Sequence, residues 1–188
     1  MKLSAIKRCC LEKERFDIRN AENGEQWIGD GCSFWPVEGV KIEEAGVAEL
    51  FDLTPKKAAE CWIGETDVDD WRFARVVRPE AETALKDLGA YWYGETTYRA
   101  LKALNDDFGL LFIPESALDP ARGKDDFAYF ARFHDAGSVL VAVYRGLLCS
   151  ALVSPLVPDM ALKIVEKAAR ITATPILALE VGNASENV

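Results

Sequence analysis

Hydrophobic and polar positions first recur with helical spacing and then alternate with strand spacing in the opening part of the chain. Apolar residues three and four positions apart predict an amphipathic helix over residues 3–12. Residues 15–19 alternate charged and apolar side chains, residues 21–24 include an Asn-Gly turn, and residues 26–29 read as the partner strand of a hairpin. Residues 32–37 are predicted to be a third strand, whose proline indicates that it ends at a sheet edge.

The middle of the chain has weaker patterning. Residues 42–53 have helical spacing, and Thr54 followed by Pro55 predicts the start of another short helix that ends near Glu60. Beyond it the pattern favours a loop, a strand and a helix in turn, over residues 61–70, 71–77 and 81–88.

From residue 110 onward, the order of elements seen in the first part returns. The predicted elements are a strand over 110–113, a helix over 115–121, three strands over 128–133, 138–144 and 147–153, and a helix over 159–170. We therefore expect an α+β fold of two quasi-repeated helix–three-strand units with antiparallel sheets. The expected organisation is one domain over 1–188, with units at 1–54 and 110–181, a connecting region at 55–109 and a disordered tail at 182–188.

Composition places this 188-residue chain among soluble proteins with a sizeable core. It is 49% hydrophobic, and it has neither a run long enough to cross a bilayer nor the apolar stretch of a signal peptide, so we expect a cytoplasmic protein. The formal net charge of −9 argues against direct wrapping of nucleic acid, because binding to phosphates requires clustered Lys and Arg. A basic partner is the more natural expectation.

Negative charge is concentrated in residues 38–70. This stretch has ten acidic residues against three lysines, a net charge of −7. It is either a solvated face that maintains solubility or an acidic docking surface. The candidate partner-binding residues are Glu43, Glu44, Glu49, Glu65, Asp67, Asp69 and Asp70.

The residues that usually carry catalysis or bind metals form no recognisable motif. The five cysteines include no Cys-x-x-Cys pair, and the single histidine, His134, falls in a predicted turn, so we read the cysteines as reduced thiols that mostly pack in the core. The acidic run at residues 67–70 lacks the glycine and closing glutamate of an EF-hand loop. We therefore expect no catalytic residues, no metal and no cofactor, although dispersed carboxylates could still assemble a metal site.

A second candidate site is the aromatic cluster Tyr91, Trp92 and Tyr93. Aromatic side chains of this kind stack on bases or anchor protein interfaces. Packing in the core is the alternative interpretation.

Three short segments carry a resemblance to a known family. Residues 2–8 (KLSAIKR), 26–32 (QWIGDGC) and 34–36 (FWP) resemble a family of small proteins encoded by phages and prophages of gut bacteria. The resemblance covers mainly the first 40 residues, with a looser match over 139–155. It implies a mobile-element setting, but its motifs look structural, so no site residue is carried over.

A second similarity is architectural. A repeated helix followed by three strands, with a strand that ends in Ser154-Pro155-Leu156, is similar to one domain of a DNA sliding clamp. True clamps line their central hole with basic helices, whereas the first and last helices here have mixed charge. A clamp-like fold would therefore not imply that this protein encircles DNA.

These observations together favour a non-catalytic phage or prophage accessory protein. It would act by stoichiometric binding to a basic, nucleic-acid-handling host protein such as a CRISPR nuclease, as anti-CRISPR and other anti-defence inhibitors do. One alternative is a protein that binds or sequesters a nucleotide, with Trp92 or Tyr93 as the stacking residue. Another is a clamp-like accessory factor of replication. The sequence leaves the oligomeric state open.

Overall fold

A ten-stranded, mostly antiparallel sheet with few helices forms the framework of this computed structural model. The described residues are 2–39, 41–76, 78–104, 109–123, 126–134 and 137–156. Residues Met1–Pro155 make up one compact unit, to which the features below belong. The α+β class is as predicted, whereas the predicted helix over 159–170 and the predicted tail over 182–188 lie outside the described residues.

The strands are numbered along the chain. They are β1 (Arg15–Ala21), β2 (Gln26–Gly29), β3 (Ser33–Val37), β4 (Trp62–Val68), β5 (Glu82–Tyr93), β6 (Thr96–Ala103), β7 (Leu110–Pro114), β8 (Ala128–Phe133), β9 (Val139–Arg145) and β10 (Leu148–Val153). Their order across the sheet is β4-β1-β2-β3-β10-β9-β8-β5-β6-β7. The predicted hairpin at β1–β2 is confirmed, as are strands at the predicted positions of β3, β7, β8, β9 and β10.

The helices are short. Those that contain Ile6, Val47 and Leu118 pack on one face of the sheet, and the 3-10 helix that contains Phe73 packs on the other. The α-helices are α1 (Leu3–Glu12), α2 (Val47–Leu50) and α3 (Pro55–Glu60), and the 3-10 helices are Glu44–Gly46, Trp71–Phe73 and Glu115–Leu118. The prediction for α1 is confirmed in full. The Thr54 hydroxyl caps α3 as predicted, accepting from the backbone N–H of Lys57 at 3.3 Å. The helix predicted over 42–53 is shorter and consists of the 3-10 helix Glu44–Gly46 followed directly by α2, and the one predicted over 115–121 is the 3-10 helix Glu115–Leu118.

The main core lies between the sheet and this helical layer. Ile6 and Cys10 of α1, Phe16 and Ile18 of β1 and Val141 of β9 are fully buried in it. Both halves of the chain contribute to the cluster, so a single hydrophobic layer links the first and last strands in sequence.

The opposite face of the sheet holds a second core and a buried ionic group. Trp27, Phe34 and Phe73 pack there edge to face. The side chains of Arg132 and Glu82 are both fully buried, with Arg132 Nε donating to Glu82 at 2.8 Å. Arg132 also donates to the backbone carbonyls of Arg72 and Ala74, so it fixes the segment after β4 against the sheet.

Three predicted elements in the middle of the chain are wrong. Residues 61–70, predicted as a loop, contain β4, which pairs in parallel with β1 along its whole length. Residues 71–77, predicted as a strand, begin with the 3-10 helix Trp71–Phe73. Residues 81–88, predicted as a helix, lie largely in β5, where a bulge at Leu88 interrupts the pairing with β6.

The predicted edge position of Pro36 also needs correction. Its strand, β3, lies between β2 and β10 near the middle of the sheet. The pairing with β10 involves only Ser33 and Phe34, so Pro36 lies beyond the paired part and its missing N–H interrupts no bond to β10. Of the described helices, none has the length and apolar character needed to cross a membrane.

Candidate functional site

The edge strand β4 places two of the predicted carboxylates side by side. Glu65 and Asp67 are two residues apart, so their side chains lie on the same face of the strand, and both are exposed. The side-chain amide of Asn20 on β1 donates to Glu65 at 2.7 Å and to Asp67 at 3.1 Å. Gln26 on β2 donates in turn to the side-chain oxygen of Asn20 at 2.8 Å. The two carboxylates are therefore held in place by one neutral amide donor, which Gln26 positions in turn.

Three more acidic residues lie next to this pair. The 3-10 helix Glu44–Gly46 packs against β4, and Gln26 anchors the segment before it by bonding both the N–H and the carbonyl of Ile42, at 2.7 and 2.8 Å. The exposed carboxylates on this side of the sheet edge are named the acidic surface here: Glu43, Glu44, Glu49, Glu65 and Asp67. The contact of Glu44–Gly46 with β4 brings Glu44 near that strand, and Glu43 and Glu49 line one cleft together.

The other two predicted acidic residues have different surroundings. Asp69 is exposed in the loop after β4, whereas Asp70 is half-buried and accepts from the backbone N–H of Arg72 at 3.0 Å and from its guanidinium at 2.6 Å. Burial would raise the pKa of Asp70, but the hydrogen bonds from Arg72 outweigh it and hold this pKa below its ordinary value. Asp70 is therefore engaged in capping the 3-10 helix Trp71–Phe73.

The opposite face of β4 carries positive and aromatic side chains. Asp17 on β1 is fully buried and accepts from Arg15 at 2.9 Å and from Arg19 at 2.8 Å. The Arg15 guanidinium lies 4.1 Å from the ring centre of Trp62, which is 47% exposed. A Cβ at Gly64 would come within 2.3 Å of that ring, so only glycine leaves room for it.

This second group was missed in the sequence. The signal was present in the alternation of Arg15, Asp17 and Arg19, because strand periodicity places all three on one face. Trp62 could not be added to them without knowing that its segment pairs with β1. Edge strand β4 therefore has acidic side chains on one face and the Trp62 ring, packed against Arg15, on the other.

The predicted aromatic cluster lies elsewhere, at the end of the β5–β6 hairpin. Tyr91 packs edge to face on Phe112, with ring centres 6.5 Å apart. Trp92 is 72% exposed, and its indole N–H donates to the carbonyl of Gly94 at 2.8 Å. Because Tyr91, Trp92 and Tyr93 are consecutive in a strand, Trp92 points away from the other two and the three rings do not form one stacking platform. Six strands separate β5 from β4 in the sheet.

Two open clefts are lined in part by Asp67 and by Asp69 with Asp70, and a third, of about 360 Å³, is lined in part by Glu43 and Glu49. The first, of about 760 Å³, is lined among others by Asn20, Gln26, Lys41, Asp67 and Arg75. Its lining mixes both signs of charge, and the Arg75 guanidinium is already paired with Glu38 at 2.6 Å. The second, of about 420 Å³, is lined by Asp69, Asp70, Trp71 and Arg78, among others.

Most of the cysteines pack as small core residues, in line with the sequence. Cys9, Cys10 and Cys149 are buried, and burial raises the pKa of the Cys9 thiol to about 11 and that of Cys149 to about 12. Cys32 is exposed and Cys61 half-buried. Across the described ranges, His, Cys, Asp and Glu side chains form no group of three that could hold a metal ion.

Comparison with protein-family models, with curated proteins and with solved structures finds no match to this chain.

Proposed function

We propose that the chain is a non-catalytic binding protein whose acidic surface docks on a basic, nucleic-acid-handling protein. The observation that carries the proposal is a set of five exposed carboxylates on β4 and on the helical segment that packs beside it, with Glu65 and Asp67 held by Asn20. Carboxylates that are fixed before binding lose little side-chain entropy when a Lys- or Arg-rich surface meets them. The net charge of −9 adds long-range attraction to such a partner.

The proposed mechanism is competition with nucleic acid. A basic channel that binds phosphates presents clustered cations, and the acidic surface would occupy those cations in place of DNA or RNA. Because these charges are exposed, their attraction is screened when ionic strength rises. Binding and inhibition should therefore weaken as salt is added.

The biological setting follows from the resemblance to phage and prophage proteins. We propose a bacterial cytoplasmic protein that acts against host defence, with an RNA-guided CRISPR nuclease as the partner class.

We propose in addition that the chain contains two quasi-repeated units. Their support is that β1–β3 and β8–β10 are both antiparallel runs of three strands, each preceded by a helical turn, and that β3 and β10 pair with each other.

The test is inhibition of DNA cleavage by a type II CRISPR nuclease at increasing ratios of chain to nuclease, with retention of basic proteins from bacterial lysate measured in parallel. The surface variant combines Glu43→Lys, Glu65→Lys and Asp67→Lys. A matched control reverses three exposed carboxylates outside the acidic surface, with Glu80→Lys, Glu95→Lys and Asp126→Lys, and has the same net charge.

We expect stoichiometric inhibition by the wild-type chain and by the control, and a loss of at least tenfold in affinity for the surface variant at low salt. Equal loss in both variants would show that only net charge matters. A chain that retains no basic protein at low salt would contradict the proposal.

Exposure of Trp92 favours nucleotide binding as a second candidate function. A ring that is 72% exposed at a hairpin tip has a free face on which a base could stack. Titration of the chain with nucleoside phosphates, followed by tryptophan fluorescence, tests this. A saturable change that the Trp92→Ala variant abolishes would favour it, whereas an unchanged spectrum would dismiss it.

A clamp-like replication accessory remains the third candidate. Its support is the same pairing of β3 with β10 at the junction of the two proposed units. Retention of polymerase or helicase subunits in place of nucleases would favour it.

A further inference from the structure

Among the described residues, no strand pairs with the outer edge of β4. The N–H of Trp62 donates to the carbonyl of Glu14 at 2.8 Å, on the side of β1. Peptide groups alternate in direction along a strand, so those of Gly64 and Thr66 also face β1. The N–H and carbonyl groups of the intervening residues therefore face away from β1: Ile63, Glu65 and Asp67. In the part of the chain that the structure describes, β4 is the outermost strand and its only strand partner is β1.

Side chains on the two faces of this edge differ in chemistry. On one face, Glu65 and Asp67 are exposed carboxylates. On the other face, Trp62 and Thr66 are exposed. The Arg15 guanidinium packs on the Trp62 ring, and the absence of a side chain at Gly64 leaves room for that ring. A strand added to β4 would place its alternate side chains next to these two rows.

The charge of the edge selects one kind of occupant. If β4 paired with the same strand of a second copy, the carboxylates of Glu65 and Asp67 would lie opposite carboxylates, which is unfavourable. Lys or Arg side chains opposite them would form cross-strand ion pairs. On the other face, the exposed ring of Trp62 favours an apolar neighbour.

From this geometry we infer that β4 accepts an extended segment of the partner protein as an additional strand, one in which Lys or Arg alternates with apolar residues. The inference rests on the proposed function, because it gives the chemistry of the segment that the acidic surface would bind. Backbone hydrogen bonds would supply affinity that does not depend on charge, and the two rows of side chains would supply selectivity.

The first experiment uses a synthetic peptide that alternates arginine with valine and a control peptide in which proline replaces valine at equal charge. Amide hydrogen exchange of the full chain is followed by NMR at low salt. We expect the valine peptide to slow exchange at Ile63, Glu65 and Asp67 at least tenfold, and the proline peptide to leave these amides unchanged.

Three results would overturn the inference, in distinguishable ways. If both peptides bind equally tightly, or if the valine peptide binds without slowing these amides, strand addition is wrong while the acidic surface still binds cations. If neither peptide binds at low salt, the proposed function fails together with it.

A matched pair of variants at one position separates charge from backbone pairing. Glu65→Gln removes the charge and keeps the outward N–H, whereas Glu65→Pro removes both, and the edge position tolerates proline because that N–H has no partner in β1. We expect the glutamine variant to bind the valine peptide several-fold more weakly, with the difference vanishing at raised salt.

The proline variant should bind the valine peptide at least a further tenfold more weakly at every salt concentration. Its circular dichroism spectrum should stay unchanged. Thr66→Pro is the folding control, since its N–H faces β1 and its loss should destabilise the chain. Equal affinity of the Glu65→Pro and Glu65→Gln variants would contradict strand addition.

Discussion

Trp35 donates its indole N–H to the backbone carbonyl of Ala117 at 3.0 Å, across 82 positions of sequence. Trp35 lies on β3 in the first part of the chain, and Ala117 lies in the 3-10 helix Glu115–Leu118 after β7. Cys9 of α1 contributes to the same contact region, with its thiol 3.7 Å from the carbonyl of Ser116. The 3-10 helix Glu115–Leu118 is therefore tied to α1 and to β3 by side-chain bonds to its backbone.

Replacing this indole should destabilise the fold. Trp35→Phe leaves the buried carbonyl of Ala117 without a donor and opens a small cavity, at a combined cost of about 2–4 kcal/mol. Urea unfolding followed by circular dichroism measures the loss. Trp92→Phe is the control, because Trp92 is 72% exposed, and its effect should stay within about 0.5 kcal/mol. Equal stability of the two variants would show that the Trp35 bond contributes nothing.

The buried carboxylate of Asp17 should be important for stability, and it lies outside the acidic surface. Asp17→Asn leaves Arg15 and Arg19 without a counter-charge, and because both arginines are partly exposed we expect a loss of about 2 kcal/mol, less than for a fully buried pair. Asp67→Asn, at the exposed acidic surface, is the converse case. It should leave the unfolding free energy nearly unchanged and weaken binding to a basic partner. If Asp17→Asn left the unfolding free energy unchanged, or if Asp67→Asn lowered that free energy without weakening binding, these two roles would be wrong.

Glu115 should make part of the stability depend on pH. Hydrogen bonds from Arg99, with further ones from Arg122, hold the pKa of Glu115 below its ordinary value of 4.5 despite the opposing effect of burial. Because the folded pKa is depressed, this contribution is fully present above about pH 4.5 and is lost as pH falls through the folded pKa.

The comparison that isolates this group is with Glu115→Gln. The variant should be less stable than the wild type at neutral pH, and the difference should shrink as pH falls below 4.5. Unfolding free energies measured in urea from neutral to acidic pH check this. If the difference in unfolding free energy between the two proteins stayed constant with pH, the ion pairs of Glu115 with its arginines would not stabilise the fold.

The cysteines should react in the order of their exposure. Cys32 is exposed and should be alkylated first, followed by the half-buried Cys61. Cys9, Cys10 and Cys149 are buried and burial raises their pKa, so they should react only after unfolding. Iodoacetamide labelling with mass spectrometry, with and without urea, measures the order. Rapid labelling of Cys149 in the folded chain would contradict the described packing.

The sequence predicted the strands whose own local pattern favours an extended chain. The β1–β2 hairpin has an Asn-Gly turn, and β9 is rich in β-branched residues, so local pattern and final structure agree. Glu82–Tyr93 is the opposite case. Its first half contains Ala, Leu, Lys and Glu, which favour a helix, yet pairing with β8 on one side and β6 on the other holds it as a strand.

The candidate site could be predicted only in part, because its residues are brought together by pairing between strands that are distant in the chain. Acidic residues in 61–70 suggested a solvated loop, because edge strands with one exposed face resemble loops in composition. Pairing with β1 is what places Glu65 and Asp67 beside Asn20 and Trp62 beside Arg15. The acidic residues themselves were identified from the sequence. The sequence did not show which of them form the acidic surface and that Asp70 instead caps a 3-10 helix.

The pairing of β3 with β10 has a consequence for how the chain folds as it leaves the ribosome. Phe34 and its partner Leu152 are separated by more than 100 residues, so the β1–β3 meander emerges long before the strand that completes its edge. During that interval, Phe34 and the rest of the second core lack their cover, and the nascent chain exposes an edge on which another chain could pair. Synthesis past residue 153 therefore precedes closure of the sheet, and chains truncated before β10 should aggregate.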